Sequence, residues 1–203
     1  RCGMAAQVAV QSGQAAWIAH VIGDGVQPHP VELPGVGEQP GIGLRELPRP
    51  LGVLRGRRVM ALPRGGGYAE AIAVDENLVV PLPDGASFEE GAGFLLTYLT
   101  AWIPLTRQVR VGAGSVVLVH AGSGGVGSAA IQVAKHLGAR VMATASTEEK
   151  RAVALEQGAD EVFGYDEFAE KVRVDVVLDP VGGEVFTQSF GVLNPLGTVV
   201  AIG

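Results

Sequence analysis

Gly122, Gly124 and Gly127 stand in the run Ala121-Gly122-Ser123-Gly124-Gly125-Val126-Gly127, at the spacing G-x-G-x-x-G. Glycine acts here through the side chain it lacks. The first position permits a tight turn, the second lets backbone approach a pyrophosphate, and the third lets a helix pack closely on a strand. A helix that opens at this turn, at Val126 directly after Gly125, presents unpaired N–H groups and a positive dipole end to phosphate oxygens. In a chain with 30 glycines the run is also compatible with a plain strand–turn–helix junction. Its setting decides between the two.

About 20 residues after such a turn, a site for NADH places Asp or Glu to bond the ribose 2′-hydroxyl. This chain has Ala143-Thr144-Ala145-Ser146-Thr147 there, with no acid. Ser146 offers a hydroxyl and Lys150, one helical turn on, a cation, which together suit the 2′-phosphate of NADPH. Glu148 and Glu149 work against this reading, and Ser146 has a second one as the cap of its own helix. Tyr165 is a further candidate on the same edge, within reach of the adenosine phosphate or simply packed. Asp179-Pro180-Val181-Gly182-Gly183 reads either as a loop facing the nicotinamide ribose or as a helix-entry turn capped by Asp179. His20, His29, His120 and His136 show no metal-ligand spacing among themselves or to the single Cys2, so no metal site is expected. His120 reads as core or crevice lining rather than as a base.

These residues need elements to position them, and from Ser115 onward the elements alternate. Val116–His120 is a continuous apolar run, as expected for a parallel strand covered on both faces. A helix over 126–137 follows, stopped by Gly138, then a strand over 140–145 and a helix over 147–157 stopped by Gly158. A strand over 161–165, a short helix over 166–172, a strand over 174–179, a helix over 184–193 and a strand over 198–202 complete the series. Five strands alternating with four helices predict an α/β, doubly wound parallel sheet of Rossmann type, five strands of an expected six. In that setting the glycine turn is a dinucleotide site.

The earlier part is less regular. Strands are predicted over 58–62 and 68–74 around a Gly65-Gly66-Gly67 turn, with an extended stretch over 77–81. Ser87 and Glu90 form a capping box ahead of a helix reaching about Arg107, broken near Pro104. Residues 1 to about 54 carry weak periodicity, with an apolar stretch around Ala15 to Ile22. The domain expectation is therefore an unmatched segment 1–53, a portion 54–112 ending in a linking helix, and a dinucleotide-binding domain 113–203.

Composition agrees with an acidic globular protein. Hydrophobic residues make up 47% and charged residues 18% of 203, and 15 Lys and Arg against 21 Asp and Glu give a net charge of −6. No basic stripe suggests a nucleic-acid partner. No run of about 18 apolar residues suggests a membrane span. The start Arg1-Cys2-Gly3-Met4 lacks the three-part form of a signal peptide, which reads as a cytoplasmic protein.

From about Leu54 to Gly203 the chain resembles the zinc-free quinone oxidoreductases of the medium-chain dehydrogenase/reductase superfamily. The resemblance is carried by Gly66-Gly67-Tyr68-Ala69-Glu70, the stretch Pro81 to Ala92, Thr100-Ala101-Trp102, His120 to Gly127, Gly138 to Val141, Gly158 to Val162 and Asp179 to Gly183. It implies a GroES-like, β-rich catalytic domain before the Rossmann domain, with the active site in the cleft between them. It also implies NADPH, hydride transfer to a quinone or α,β-unsaturated carbonyl, no metal, and usually a homodimer. Thr100 matches a position near the nicotinamide ribose, Val181 a nicotinamide contact, and Ser146, Lys150 and Tyr165 positions around the 2′-phosphate. Residues 1–53 lack the family's first strands and its Asn-Pro segment, and the returning sixth strand is missing, so the expectation is an incomplete enzyme. The other readings are a truncated, non-catalytic nucleotide binder and an enoyl-thioester reductase.

Overall fold

The computed structural model describes residues 7–12, 15–20, 57–63, 67 and 71–202. Cys2, His29, the first two glycines of the expected Gly65–Gly67 turn and the start of the strand expected from Tyr68 lie outside the described residues. The chain divides into two compact units, Arg1–Leu95 and Leu96–Gly203.

In the first unit, β1 (Gln7–Ser12) pairs antiparallel with β2 (Ala15–His20) and parallel with β4 (Ala71–Asp75). β3 (Val59–Ala61) pairs antiparallel with β5 (Val79–Pro81). Val59, Val74 and Val79 form a small buried core. The stretch 77–81, expected to be extended throughout, is extended only in β5. Glu76–Leu78 is a 3-10 turn, because the Asp75 carboxylate accepts from both the backbone and side-chain amides of Asn77, at 2.9 and 2.8 Å.

The capping box forms as read. Ser87 N donates to Glu90 Oε2 at 2.7 Å, and Glu90 N donates to Ser87 Oγ at 3.1 Å. It opens α1 (Phe88–Ile103), which stops before Pro104, and a π-helical turn over Pro104–Gln108 continues the chain.

The second unit is the expected α/β layer structure. β6 (Val116–Val119), β7 (Arg140–Thr144), β8 (Glu161–Phe163), β9 (Val174–Asp179) and β10 (Leu193–Ala201) form one parallel sheet in the order β10-β9-β6-β7-β8. Between them lie α2 (Gly125–His136), α3 (Glu148–Glu156), α4 (Phe168–Lys171) and α5 (Gly183–Ser189). Gly138 and Gly158 follow α2 and α3 with φ of 86° and 107°, the left-handed stop that glycine adopts without strain. Side chains alternate faces along each strand. Val117, Val119, Val141, Ala143, Val176 and Leu178 therefore build a core with α2, α3 and the end of α1. Leu118, Met142 and Val177 build a second one with Phe168 of α4 and Val192.

Several boundaries differ from the reading of the sequence. The last helix ends at Ser189 rather than Leu193 and gives way to a 3-10 turn over Phe190–Val192. The last strand begins at Leu193, and its register on β9 slips before Thr198. Leu196 there has φ of 67°, a left-handed kink that no periodicity announces. The third strand ends at Phe163, so Tyr165 stands in the turn beyond it.

Candidate dinucleotide site

The sheet order places β6 between β7 and β9: the chain leaves β6 toward β7 on one side and returns from β8 to β9 on the other, which opens a crevice at the strands' C-terminal ends. Open α/β sheets bind ligands at such a switch point. The glycine turn is there, between β6 and α2.

Its geometry shows what each glycine does. A Cβ on Gly127 would lie 2.1 Å from Ala121 O and 2.8 Å from Ala121 C. The helix therefore touches the turn backbone to backbone. A Cβ on Gly122 would lie 2.9 Å from the Ala143 methyl, so the first glycine is required by packing against β7. The tight turn itself is made one residue earlier, at Ala121, with φ of 51°. That corrects the role read for Gly122. Ala121 is held from both ends: its N–H donates to Tyr165 Oη at 3.1 Å, and its carbonyl accepts from Gly124 N at 2.9 Å. Gly124 is the N-cap of α2, and no side chain caps that end. Gly124 and Gly125 are exposed and Val126 half-buried. The first amides of α2, the dipole and the missing side chains together make a cradle for an anion.

On the β7 side, Ser146 and Lys150 are exposed neighbours, Lys150 Nζ standing 3.5 Å from Ser146 Oγ. Ser146 does not cap α3. Thr147 does, with the extended backbone of an N-cap and its hydroxyl accepting from Lys150 N at 3.3 Å. The Ser146 hydroxyl is thus available to a ligand. The acids beside it are engaged: Glu148 accepts from Arg151 at 2.8 Å. The carboxyl of Glu149 is held below its usual range by its own backbone amide and the Thr147 hydroxyl.

Tyr165 joins this side of the site to the turn through its bond to Ala121. Its own turn is fixed by Glu167, which accepts from Gly164 N at 2.8 Å and pairs with Lys171. On the β9 side, Val181 is 45% exposed and its N–H donates to Asp179 Oδ1 at 2.7 Å. Thr100 is on α1, its hydroxyl donating to Leu96 O at 2.7 Å. One turn before it, the Thr97 methyl lies 3.4 Å from where a Cβ on Gly125 would stand. The structure thus joins Gly122–Gly127 with Tyr165, and Ser146 with Lys150. Val181 is placed in the loop beyond β9, on the other side of β6, and no hydrogen bond joins Thr100 to the turn.

Two residues carry more than the sequence reading gave them, His120 as core or crevice lining and Asp179 as a possible helix-entry cap. His120 is fully buried, with Nδ1 2.8 Å from Thr144 Oγ1 and Nε2 2.9 Å from Ser189 Oγ. Burial lowers its pKa to about 4, against the opposing pull of Asp179. Asp179 itself is 2% exposed, and its Oδ2 has no hydrogen-bond partner. Counting by twos along the strands would have put both on one sheet face, but not their partners.

Residues 125–203 match the family model described as zinc-binding dehydrogenase. Among the described residues no three His, Cys, Asp or Glu side chains converge, so zinc does not fit them. The chain is 34% identical over 159 residues to the quinone oxidoreductase of Sus scrofa, covering 73% of this chain and 48% of that protein. It is 38% identical over 160 residues to the reducing polyketide synthase rdc5 of Metacordyceps chlamydosporia, covering 73% of this chain and 7% of that one. It is also similar to the quinone oxidoreductase of Thermus thermophilus, solved alone and with NADPH. The TM-score is 0.68 and the identity 42%, over 72% of this chain and 50% of that one. The chain thus spans about half the length of the quinone oxidoreductases it matches.

Proposed function

Because the chain belongs to the zinc-free, quinone-oxidoreductase-like family of medium-chain dehydrogenases/reductases, we propose that it is an NADPH-dependent oxidoreductase that passes hydride to a quinone or an α,β-unsaturated carbonyl without a metal. The observation that carries the cofactor choice is the Ser146–Lys150 pair, exposed at the end of β7 with the neighbouring acids engaged elsewhere. A 2′-phosphate placed there meets a cation, a hydroxyl and helix amides. The bound dinucleotide supplies the hydride, and the protein supplies binding and orientation. Gly122, Gly124, Gly125, Val126 and Gly127 hold the pyrophosphate on the α2 N-terminus, Tyr165 reaches the adenosine side, and Val181 and Thr100 flank the nicotinamide side.

In this reading residues 113–203 are the dinucleotide-binding domain, 54–112 belong to the catalytic part, and the protein works in the cytoplasm as a homodimer. A fluorescence titration of the purified chain with NADPH and NADH tests it. Tighter binding of NADPH is expected, and Lys150→Ala should weaken NADPH about tenfold or more while hardly moving NADH, since a charge-assisted bond to phosphate contributes on that scale. Equal affinity for both cofactors, or indifference to Lys150→Ala, would count against the cofactor assignment.

The match to a reducing polyketide synthase favours a second reading, an enoyl-thioester reductase. NADPH oxidation with a short enoyl thioester beside a quinone panel separates the two. Binding without turnover of either acceptor would leave a nucleotide-binding protein.

A further inference from the structure

The three central strands end in one polar row. The sheet register sets Leu118 beside Met142 and Val177, all within one apolar cluster. Two residues further along each strand, and so on the same face, stand His120, Thr144 and Asp179. Their exposures are 0%, 0% and 2%.

The hydrogen bonds of this row run in one direction only. Ser189 Oγ donates to the Val185 carbonyl at 2.8 Å, so it accepts from His120 Nε2–H. The lone pair of the neutral imidazole is then on Nδ1, which accepts from the Thr144 hydroxyl. Every donor in the row is used. Asp179 Oδ1 accepts from Val181 N and Gly182 N, at 2.7 and 3.0 Å. Oδ2 is buried and has no donor. Such an oxygen is destabilising until a donor reaches it.

The place of Asp179 at the C-terminal end of β9 points to that donor. A dinucleotide on the glycine turn after β6, with its 2′-phosphate at Ser146 and Lys150 beyond β7, must send its other half toward β9, the opposite neighbour of β6. The loop that leaves Asp179 has φ of 74° at Gly182 and 61° at Gly183, where an added Cβ would meet nothing within 4 Å, so the ground beside the strand end is open.

Resting on the reading of this chain as a dinucleotide-binding oxidoreductase, we propose that Asp179 Oδ2 is a binding contact that accepts a hydrogen bond from the ribose hydroxyls on the nicotinamide half of the cofactor. Asp179 then has two tasks divided between its oxygens: Oδ1 shapes the loop that carries Val181, and Oδ2 receives the ligand.

Asp179→Asn separates the tasks, since the amide oxygen still serves the Val181 and Gly182 amides while the amide nitrogen cannot accept. The variant and the wild type are titrated with NADPH and with adenosine 2′,5′-bisphosphate, which has only the adenosine half, and melted without ligand. The variant is expected to lose about tenfold or more in NADPH affinity, because a hydrogen bond to a charged acceptor is lost. Its affinity for the bisphosphate should be unchanged and its ligand-free melting temperature no lower. Unchanged NADPH affinity, equal loss for both ligands, or a lower ligand-free melting temperature overturns the contact. If the wild type binds neither ligand, the dinucleotide reading falls with it. If the wild type binds both and the variant matches it, only the Asp179 contact falls.

Discussion

At the scale of single residues, the site depends on atoms that are not there. Gly127 is within α2, where alanine is ordinarily the better helix former by about 1 kcal/mol. Here the added methyl would lie 2.1 Å from Ala121 O, with Ala121 C and Gly122 Cα close behind, and all three are backbone atoms that cannot turn aside. Gly127→Ala should therefore destabilise the protein by about 1–3 kcal/mol, as overpacking does, and abolish measurable NADPH binding. Chemical denaturation with and without NADPH checks both. A variant as stable as the wild type would show that helix and turn do not touch as closely as the geometry says. This constraint was legible in the sequence because a missing side chain recurs at fixed spacing. The role of Tyr165 was half legible. Its place near the strand ends followed from the alternation, but its bond to Ala121 spans 44 residues. His120 was read as core, while its partners 24 and 69 residues away were beyond any local pattern.

At the scale of elements, local chemistry predicted starts better than ends. The reciprocal bonds of Ser87 and Glu90 fix where α1 begins. Ser87→Ala leaves the Glu90 N–H without its acceptor and should cost about 1 kcal/mol, a fall of roughly 2–4 °C in melting temperature for a chain of this size. Thermal melting monitored by circular dichroism checks it, and Ser87→Thr, which keeps the hydroxyl, should recover most of the loss. Glycine stops were equally readable at Gly138 and Gly158, because a left-handed residue ends a helix whatever packs around it. The boundary at Ser146 and Thr147 was not: both are good caps, and only the backbone decides that Thr147 holds the extended conformation. The end of α5 and the slipped register of β10 were hidden for a related reason. Phe190 to Gly197 has neither a helical nor an alternating pattern, and its path is set by packing, with Val192 buried and Leu196 fully exposed.

At the scale of the whole molecule, the buried row couples folding to pH. His120 titrates near 6.5 when unfolded and near 4 when folded, because burial outweighs the opposing charge of Asp179. Between those values the unfolded chain binds a proton that the folded chain does not, so stability falls as pH drops through this window and is fully recovered above it. A shift of that size corresponds to about 3 kcal/mol at full extent. The carboxylates with lowered pKa act elsewhere. Asp160 is held down first by Lys135, Asp175 by Asn194, and Glu167 by the Gly164 amide. Their stabilisation is present above the ordinary carboxylate range and lost only as pH falls through and below it. Urea unfolding at intervals from pH 7.5 to 4.5 should therefore show a progressive loss of stability that belongs to His120. His120→Asn, which keeps hydrogen-bonding capacity but does not titrate, should flatten that window even if the variant starts from a lower stability. A slope that survives in the variant would move the proton uptake to another group. It would also mean that the tips of β6, β7 and α5 are not tied through a neutral imidazole.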